Sequence, residues 1–418
     1  MRYWRDFKMA TVRTISYNSV DIPVIFEQDN RLPLVSLQLV FRDSGALSGD
    51  KPGLAKLASR LMGEGTRTHG SEAFAEALES RAVSLHASVG EETFVVSLHA
   101  LKSEFSFGLS KLCALLSDPN FSEETFSRIQ TQMIGALTQK QSDFDFVADS
   151  LLKSLLFEGT AKAYPISGTV ESVGRMTLQD LEVFIRGHLG VENMIVVLGG
   201  DIHEGEVTEI VSEIAQQLQA PEVPPIAPIT ALEKPRELIE PAATEQAYLY
   251  FGAPYAMSYD SDEVYLGKVA SFVLGSSGFG SRLMEEVRVK RGLAYSAYAR
   301  FDVAKSCSYF SGHLQTKLES AEEAKEVVMT VVASFVAEGM TQEELNAAKQ
   351  FLVGSEPLRN ETLQQRMGNA FHEYYNNQPQ GYRRQELERT EAIGLEQINR
   401  FIASHPEIAQ MSFAIIKQ

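Results

Sequence analysis

Apolar and polar residues alternate along several short segments in the first half of the chain. Such alternation sends successive side chains to opposite faces and is typical of strands with one buried face. The segments with this pattern are TVRTISYN, DIPVIFEQ, VSLQLVFRD and TFVVSLHAL, beginning at Thr11, Asp21, Val35 and Thr93. We therefore predict a sheet that is covered on one side.

Segments with helical spacing lie between and after these strands. Apolar residues recur at i, i+3, i+4, i+7 and i+8 from Leu54 to Met62, which gives a helix with one apolar stripe. Other predicted helices open with a serine that can cap them, in SEAFAEALES, SEFSFGLSKLCALLSD and SEETFSRIQTQMIGAL. Strands and helices are mixed rather than strictly alternating. This favours an α+β fold, a mostly antiparallel sheet with helices packed on one face.

A proline cluster divides the chain. Six prolines lie between Pro221 and Pro241, a composition that favours an extended linker over a helix or a central strand. We predict a linker at 220–243, with an N-terminal domain at 1–219 and a C-terminal domain at 244–418.

The sequence also repeats itself across this linker. LAKLASRLMG from Leu54 aligns without gaps to LGKVASFVLG from Leu266, and SEETFSRIQ from Ser122 resembles TQEELNAAK from Thr341. The two matches occur in the same order and at nearly equal offsets. They predict two homologous domains.

Charge and cysteine content narrow the possible partners. The 418 residues include 38 Lys and Arg against 55 Asp and Glu, for a net charge of -17, which argues against nucleic-acid and anionic-membrane partners. No apolar run approaches the length of about 18 residues that a membrane span needs. Cys113 and Cys307 lie far apart without CxxC spacing, so neither a zinc ribbon nor a disulfide framework is predicted.

Basic residues interrupt the N-terminal segment. Arg2, Arg5 and Lys8 leave no apolar stretch like that of a signal peptide. We expect a cytoplasmic location, and a periplasmic one stays open if a leader precedes this sequence, since Met9 could mark a second start or a trimmed leader.

The segment SGALSGDKPGLAKLASRLMGEGT resembles the part of the pitrilysin, insulinase and mitochondrial processing peptidase family that carries the zinc motif HxxEH. The flanking residues match, but the chemical positions do not. The resemblance places Lys56 and Arg60 where the family has its zinc histidines and Ser59 where it has the catalytic glutamate. The third ligand, a glutamate further along, falls at or next to Ala136.

These replacements remove the zinc chemistry. HxxEH puts two imidazoles and a carboxylate on one helix face, where they hold Zn²⁺ and deprotonate its water. A cation such as that of Lys56 or Arg60, held about 4 Å from Zn²⁺, would cost about 8 kcal/mol at an effective dielectric constant of about 20. We predict no metal and no cofactor in this chain, and we expect zinc in a partner subunit.

A second segment, GSSGFGSRLMEEVRVKRGLAYSAYARF, resembles a motif of the family's C-terminal domain over its whole length. The resemblance assigns Arg288 and Tyr295 to substrate binding, since the family's Arg and Tyr hold the peptide backbone near the scissile carbonyl. We predict a helix that buries Leu283, Met284 and Val287 and ends before a strand that contains Tyr295.

Other candidate sites are weaker. His86 and His99 lie in strand-like segments that could pair, but no nearby acidic residue completes a zinc site. The chain has no GxSxG nucleophile context, and the glycine-rich stretch from Leu274 lacks the ending of a phosphate loop.

Two functions follow from the resemblance. The first is a non-catalytic, substrate-binding subunit of a zinc peptidase heterodimer, whose homologous partner carries HxxEH and which degrades or processes peptides. The chain could form a homodimer when alone. The second is a structural or assembly protein like the core subunits of respiratory complexes. In both, the implied fold is that of the LuxS and processing-peptidase type of metallopeptidase.

Overall fold

The computed structural model describes residues 10–418, which form two compact units, each with its own sheet and core. Unit 1 contains the chain up to Thr138 together with Tyr164–Ile226 and Arg359–Tyr375. Unit 2 contains Gln139–Ala163, Ala227–Leu358 and Asn376–Gln418. None of the helices in residues 10–418 is both long enough and apolar enough to cross a membrane.

The strands, in chain order, are β1 Thr11–Tyr17, β2 Val20–Gln28, β3 Leu34–Arg42, β4 Ser84–Val89, β5 Thr93–Leu101, β6 Met194–Gly200, β7 Glu237–Pro241, β8 Gln246–Pro254, β9 Ala294–Val303, β10 Ser308–Lys317 and β11 Ser412–Lys417. The helices are α1 Leu54–Leu61, α2 Gly70–Glu79, α3 Phe105–Ser117, α4 Glu123–Lys140, α5 Phe144–Leu156, α6 Val170–Gly174, α7 Leu178–His188, α8 Val207–Ala215, α9 Val264–Ser271, α10 Arg282–Met284, α11 Ala321–Glu338, α12 Gln342–Gly354, α13 Leu363–Tyr375, α14 Tyr382–Ala392 and α15 Leu395–Ala403.

The two sheets share one topology. Unit 1 has the strand order β1-β2-β6-β3-β5-β4, and unit 2 has β7-β11-β8-β10-β9. Once β1 is set aside, both sheets arrange their strands as first, fifth, second, fourth and third in chain order. Each sheet has one parallel pair, β2 with β6 and β7 with β11, and is otherwise antiparallel. The predicted α+β fold with two homologous domains is confirmed.

The main core of unit 1 lies between one face of its sheet and the helices, as the amphipathic pattern predicts. On β3, alternate residues Val35, Leu37, Leu39 and Phe41 are buried against the helices. The predicted apolar stripe of α1 joins the same core, which Phe94, Val96 and Leu98 of β5 complete. We call the opposite side of this sheet its outer face.

The structure departs from the predicted domain boundaries at two helices. Residues 139–163, predicted in the N-terminal domain, belong to unit 2, where α5 packs on β8 and β11. Residues 359–375, predicted in the C-terminal domain, belong to unit 1, where α13 packs on the outer face against β2 and β6. An apolar stripe shows that a helix is buried but does not say against which sheet.

Glycines make room for both exchanged helices. A Cβ on Gly199 of β6 would lie 2.4 Å from Sδ of Met367 in α13. A Cβ on Gly252 of β8 would lie 2.7 Å from Cδ1 of Leu156 in α5. Each sheet therefore also carries a helix on the face that the sequence left uncovered.

The predicted linker also contains a strand. β7 lies within 220–243 and pairs in parallel with β11 at the edge of the unit 2 sheet. Pro241 ends this strand, and an edge strand tolerates proline because its outer side needs no backbone donor. The prolines correctly predicted that this segment contains no central strand, but the edge strand β7 was not predicted.

Candidate functional site

The helix that corresponds to the family's zinc helix is α1 of unit 1. Lys56 is half-buried on it and Arg60 is exposed. Ser59 is buried, and its hydroxyl donates a hydrogen bond of 2.8 Å to the carbonyl oxygen of Lys56. Ala136 lies half-buried on α4 and offers only a methyl group. The four positions thus present two cations, a satisfied hydroxyl and a methyl group, a set with no donor suited to zinc.

Side chains that could bind a metal ion are scattered over the part of the chain that the structure describes. Residues 10–418 contain no group of three or more His, Cys, Asp or Glu side chains arranged to hold a metal ion. His86 and His99 lie on the paired strands β4 and β5, with ring centroids 6.0 Å apart. Burial, followed by the charge of His86, lowers the pKa of His99.

The second motif forms a helix, a turn and a strand in unit 2. The hydroxyl of Ser281 accepts a hydrogen bond of 3.3 Å from the backbone N–H of Met284 and caps α10. The helical turns continue through Val289 with a wider winding, and the predicted positions Leu283, Met284 and Val287 are buried. Their predicted burial is confirmed.

A glycine then turns the chain into β9. Gly292 has φ of 63°, in the left-handed region, and its N–H donates to the carbonyl oxygen of Arg288 at 2.9 Å. A residue with a Cβ would be strained there. The reversal brings the start of β9 back beside the end of the helix.

Three side chains meet at this reversal. The guanidinium carbon of Arg288 lies 4.3 Å from the ring centroid of Tyr295 and 4.7 Å from that of Phe279. We call Phe279, Arg288 and Tyr295 the arginine–aromatic cluster. The two residues singled out from the sequence are therefore neighbours, and Phe279 is a third member that the sequence reasoning missed.

The polar ends of the cluster have no partner within residues 10–418. Neither the guanidinium of Arg288 nor the hydroxyl of Tyr295 forms a hydrogen bond or ion pair there. Other cations of the motif are paired, Arg282 with Glu344 and both Lys290 and Arg291 with Glu286. Because unpaired donors at a surface can serve a ligand, Arg288 differs from its neighbours in what it can bind.

Both aromatic rings of the arginine–aromatic cluster are exposed to solvent. Tyr295 is 81% exposed and Phe279 is 71% exposed. Phe279 stands between Gly278 and Gly280, which have φ of 67° and 91°. The sequence does contain a signal for Phe279, because an aromatic residue between two glycines, just before a helix cap, is held in an exposed position.

Tyr295 also lies on an open sheet edge. β9 is the last strand of the unit 2 sheet, and its register against β10 shifts between Leu314 and Thr316, beside Ala294. Irregularities of this kind re-aim the side chains near them. In unit 1 the corresponding edge strand is β4, whose residues alternate between exposed and half-buried.

Comparisons with known proteins decide the family. A profile described as the Peptidase M16 inactive domain matches residues 175–352. The non-peptidase homolog YmxG of Helicobacter pylori is 38% identical over 400 residues, covering 96% of this chain and 92% of that protein. The chain belongs to the peptidase M16 family. A second relative, an uncharacterized zinc protease YmxG of Bacillus subtilis, is 22% identical over 319 residues, covering 75% of this chain and 76% of that protein.

Solved structures share the fold. A peptidase M16 inactive domain from Pseudomonas fluorescens has a TM-score of 0.89 at 24% identity, covering 97% of this chain and 98% of that chain. A chain of complex III2 from Candida albicans has a TM-score of 0.79 at 15% identity, covering 97% of this chain and 95% of that chain. At these identities the likeness concerns the fold alone.

The M16 membership confirms the resemblance drawn from the two motifs. The range matched by the inactive-domain profile includes Arg288 and Tyr295, and it begins after Lys56, Ser59 and Ala136. The chain is thus an M16 member that carries the family's inactive domain.

Proposed function

We propose that this chain is a non-catalytic subunit that binds peptide for a zinc-bearing M16 partner. The observation that carries the proposal is the arginine–aromatic cluster, in which Arg288 and Tyr295 stand together with their polar ends unpaired within residues 10–418. The ligand positions on α1 and α4 hold no zinc donor, so metal chemistry is assigned to the partner.

The chemistry of the cluster suits a peptide that is being cleaved. A guanidinium donates charge-assisted hydrogen bonds to carbonyl oxygens, and a tyrosine hydroxyl can donate to the oxyanion that develops on attack. Contact with two rings restricts the motion of the guanidinium, so less rotational freedom is lost when peptide binds. Arg288 and Tyr295 would bind and orient, while the partner carries out the hydrolysis.

An open strand edge supports the same role. Extended peptides bind to exposed sheet edges through backbone hydrogen bonds. β9 carries Tyr295 at such an edge, so a peptide that pairs there would pass the hydroxyl of that residue.

A structural or assembly role is the second candidate. It is favoured by the near full-length likeness in fold to a chain of a Candida albicans complex III2 structure. A scaffold needs no unpaired arginine beside an exposed tyrosine. Substitutions in the cluster therefore separate the two functions.

The test uses the HxxEH-bearing M16 protein that co-purifies with this chain from its native source. We expect the partner alone to turn over peptide slowly, the chain alone not at all, and the mixture rapidly. Tyr295→Phe should lower kcat of the mixture roughly 10²–10³-fold, the loss typical of one oxyanion donor. Arg288→Ala should do likewise and weaken substrate affinity more.

Arg291→Ala is the matched control, since that arginine is three residues away and paired with Glu286. It should leave turnover nearly unchanged, and sedimentation should show all variants still bound to the partner. Full activity of both cluster variants would favour the assembly role. Recovery of the chain as a solitary monomer would count against a partner altogether.

A further inference from the structure

Unit 1 contains a cavity whose lining includes no residue of the arginine–aromatic cluster and none of the four positions that resemble the zinc site. Its volume is about 640 Å³, and it opens on the outer face between the start of β3, the end of β5 and the start of α13. Ligand pockets typically measure about 300–1,000 Å³. We call it the outer-face pocket.

Three leucines line the wall and mouth of this pocket. Leu32 is 62% exposed and Leu34 is 47% exposed, and Leu363 of α13 lines the opposite side. Leu34 stands directly across from Leu101, another exposed leucine, in the register of β3 and β5. Several large exposed apolar residues at one place mark binding sites more often than chance exposure does.

Two of the three charged side chains that line the pocket, Asp29 and Arg31, are paired with each other. Asp29 accepts hydrogen bonds from Nε of Arg31 at 2.8 Å and from Nη2 of Arg366 at 2.8 Å. Arg366 is buried and also donates to Glu27 at 2.7 Å. Because Arg31 and Arg366 are each held by a carboxylate, and the remaining charged side chain of the lining is the exposed Glu361, the pocket offers no free cation to an anionic ligand.

Two polar side chains on the wall have no hydrogen-bond partner among residues 10–418. Ser36 and His99 face each other across β3 and β5, and neither side chain forms a hydrogen bond with residues 10–418. Burial lowers the pKa of His99, so its ring is neutral at pH 7. A hydroxyl and a neutral imidazole together offer a donor and an acceptor, which is what one peptide group requires.

We propose that the outer-face pocket binds an uncharged, apolar segment of an extended peptide. The cavity has room for more than one large side chain, and Ser36 and His99 can satisfy a peptide group between them. Fatty acids, which are apolar ligands of similar size, would find no free Lys or Arg in the lining to hold their carboxylate, since Arg31 is paired with Asp29. The inference deepens the proposed peptide-binding function by naming a preference for apolar sequence.

Calorimetric titration of the full chain with blocked tripeptides tests this site without any partner. Acetyl-Leu-Phe-Leu-amide should bind at one site, and acetyl-Ser-Gln-Ser-amide should bind about tenfold more weakly or worse. Ser36→Trp, which fills the cavity, and Leu32→Asn, which makes its mouth polar, should each weaken the apolar peptide by about tenfold. Leu32 lies on an exposed loop, so that variant should fold even if Ser36→Trp does not.

Leu358→Asn is the matched control, because Leu358 is 67% exposed but belongs to unit 2. It should bind the apolar peptide like the unsubstituted chain. Unchanged affinity in both pocket variants would overturn the inference. Dodecanoate bound at this site with no tripeptide binding would also overturn it, in favour of an acyl ligand.

The Arg288→Ala and Tyr295→Phe variants distinguish this inference from the proposed function. Tripeptide binding at the outer-face pocket should persist in both. Pocket binding with no effect of these variants on the partner's turnover would defeat the proposed function alone. If the two variants lower the partner's turnover but no tripeptide binds at the pocket, the pocket inference alone is wrong.

Discussion

Arg288 is oriented by two aromatic rings rather than by a carboxylate. A counter-ion would occupy the same N–H groups that a peptide carbonyl needs, whereas the two aromatic rings contact the guanidinium without placing a carboxylate on those groups. Phe279 is therefore a positioning residue that acts through Arg288.

Phe279→Ala should raise KM of the assembled pair about two- to fivefold, the equivalent of one exposed cation–π contact, with a smaller change in kcat. Phe279→Tyr should restore KM. Steady-state kinetics checks this, with Val289→Ala as control, since Val289 is exposed beside Arg288 but contributes no ring. A purely structural role for Phe279 would instead show as a lower melting temperature without rescue by tyrosine.

The thiol of Cys113 illustrates how burial controls reactivity. It is buried in unit 1 and forms no disulfide, and burial, followed by Glu213, raises its pKa to about 12 from an ordinary value of 9.0. In a Cys307→Ser variant, modification by a disulfide reagent should stay slow past pH 9 and accelerate only towards pH 12. A midpoint near pH 9 would contradict the buried environment.

The raised pKa of Cys113 also makes the stability of the protein depend on pH. Between pH 9 and 12 the native thiol keeps its proton while the unfolded thiol loses it, so this group favours unfolding increasingly as pH rises through that range. Cys113→Ala should flatten this part of the stability curve, which denaturant titrations at several alkaline pH values would measure.

At the scale of elements, the close approach of helix to sheet depends on two glycines. Gly199→Ala and Gly252→Ala should each lower the free energy of unfolding by about 1–3 kcal/mol, because the added methyl group meets Met367 or Leu156 and backbone atoms nearby. Gly187→Ala is the control, since nothing lies within 4 Å of a Cβ at that helical position. It should be neutral or slightly stabilising. Equal effects from all three substitutions would contradict the packing described for α5 and α13.

The sequence predicted local elements well and long-range partners poorly. Alternation located β1, β2, β3 and β5, and helical spacing of apolar residues located the helix that begins at Leu54. The neighbouring positions of Arg288 and Tyr295 followed from a short helix, a glycine turn and a strand, which are local features. The sheets on which α5 and α13 pack were not predictable, because periodicity carries no information about a partner distant in sequence. Phe279 was missed because a lone exposed aromatic residue has no periodic signature.

At the scale of the whole molecule, the expected absence of zinc can be measured directly. Metal analysis after dialysis should find far less than one zinc per chain, because Lys56, Ser59, Arg60 and Ala136 supply no ligand. Stoichiometric zinc that is lost when these residues are changed would show that the four positions were misassigned. A Lys56→His, Ser59→Glu, Arg60→His, Ala136→Glu variant should gain zinc affinity if α1 and α4 keep the family's arrangement.

The exchange of α5 and α13 between the units constrains how the chain matures during synthesis. The last strand of the unit 1 sheet ends at Gly200, but the helix that covers its outer face is not complete until Tyr375. While the ribosome translates the intervening residues, Ile25, Val40 and Val197 face water, a surface suited to a chaperone. Neither unit can therefore finish folding as an independent N-terminal or C-terminal block. A gene cut at the proline cluster would encode two fragments that each lack one helix of their own sheet and carry one that belongs to the other.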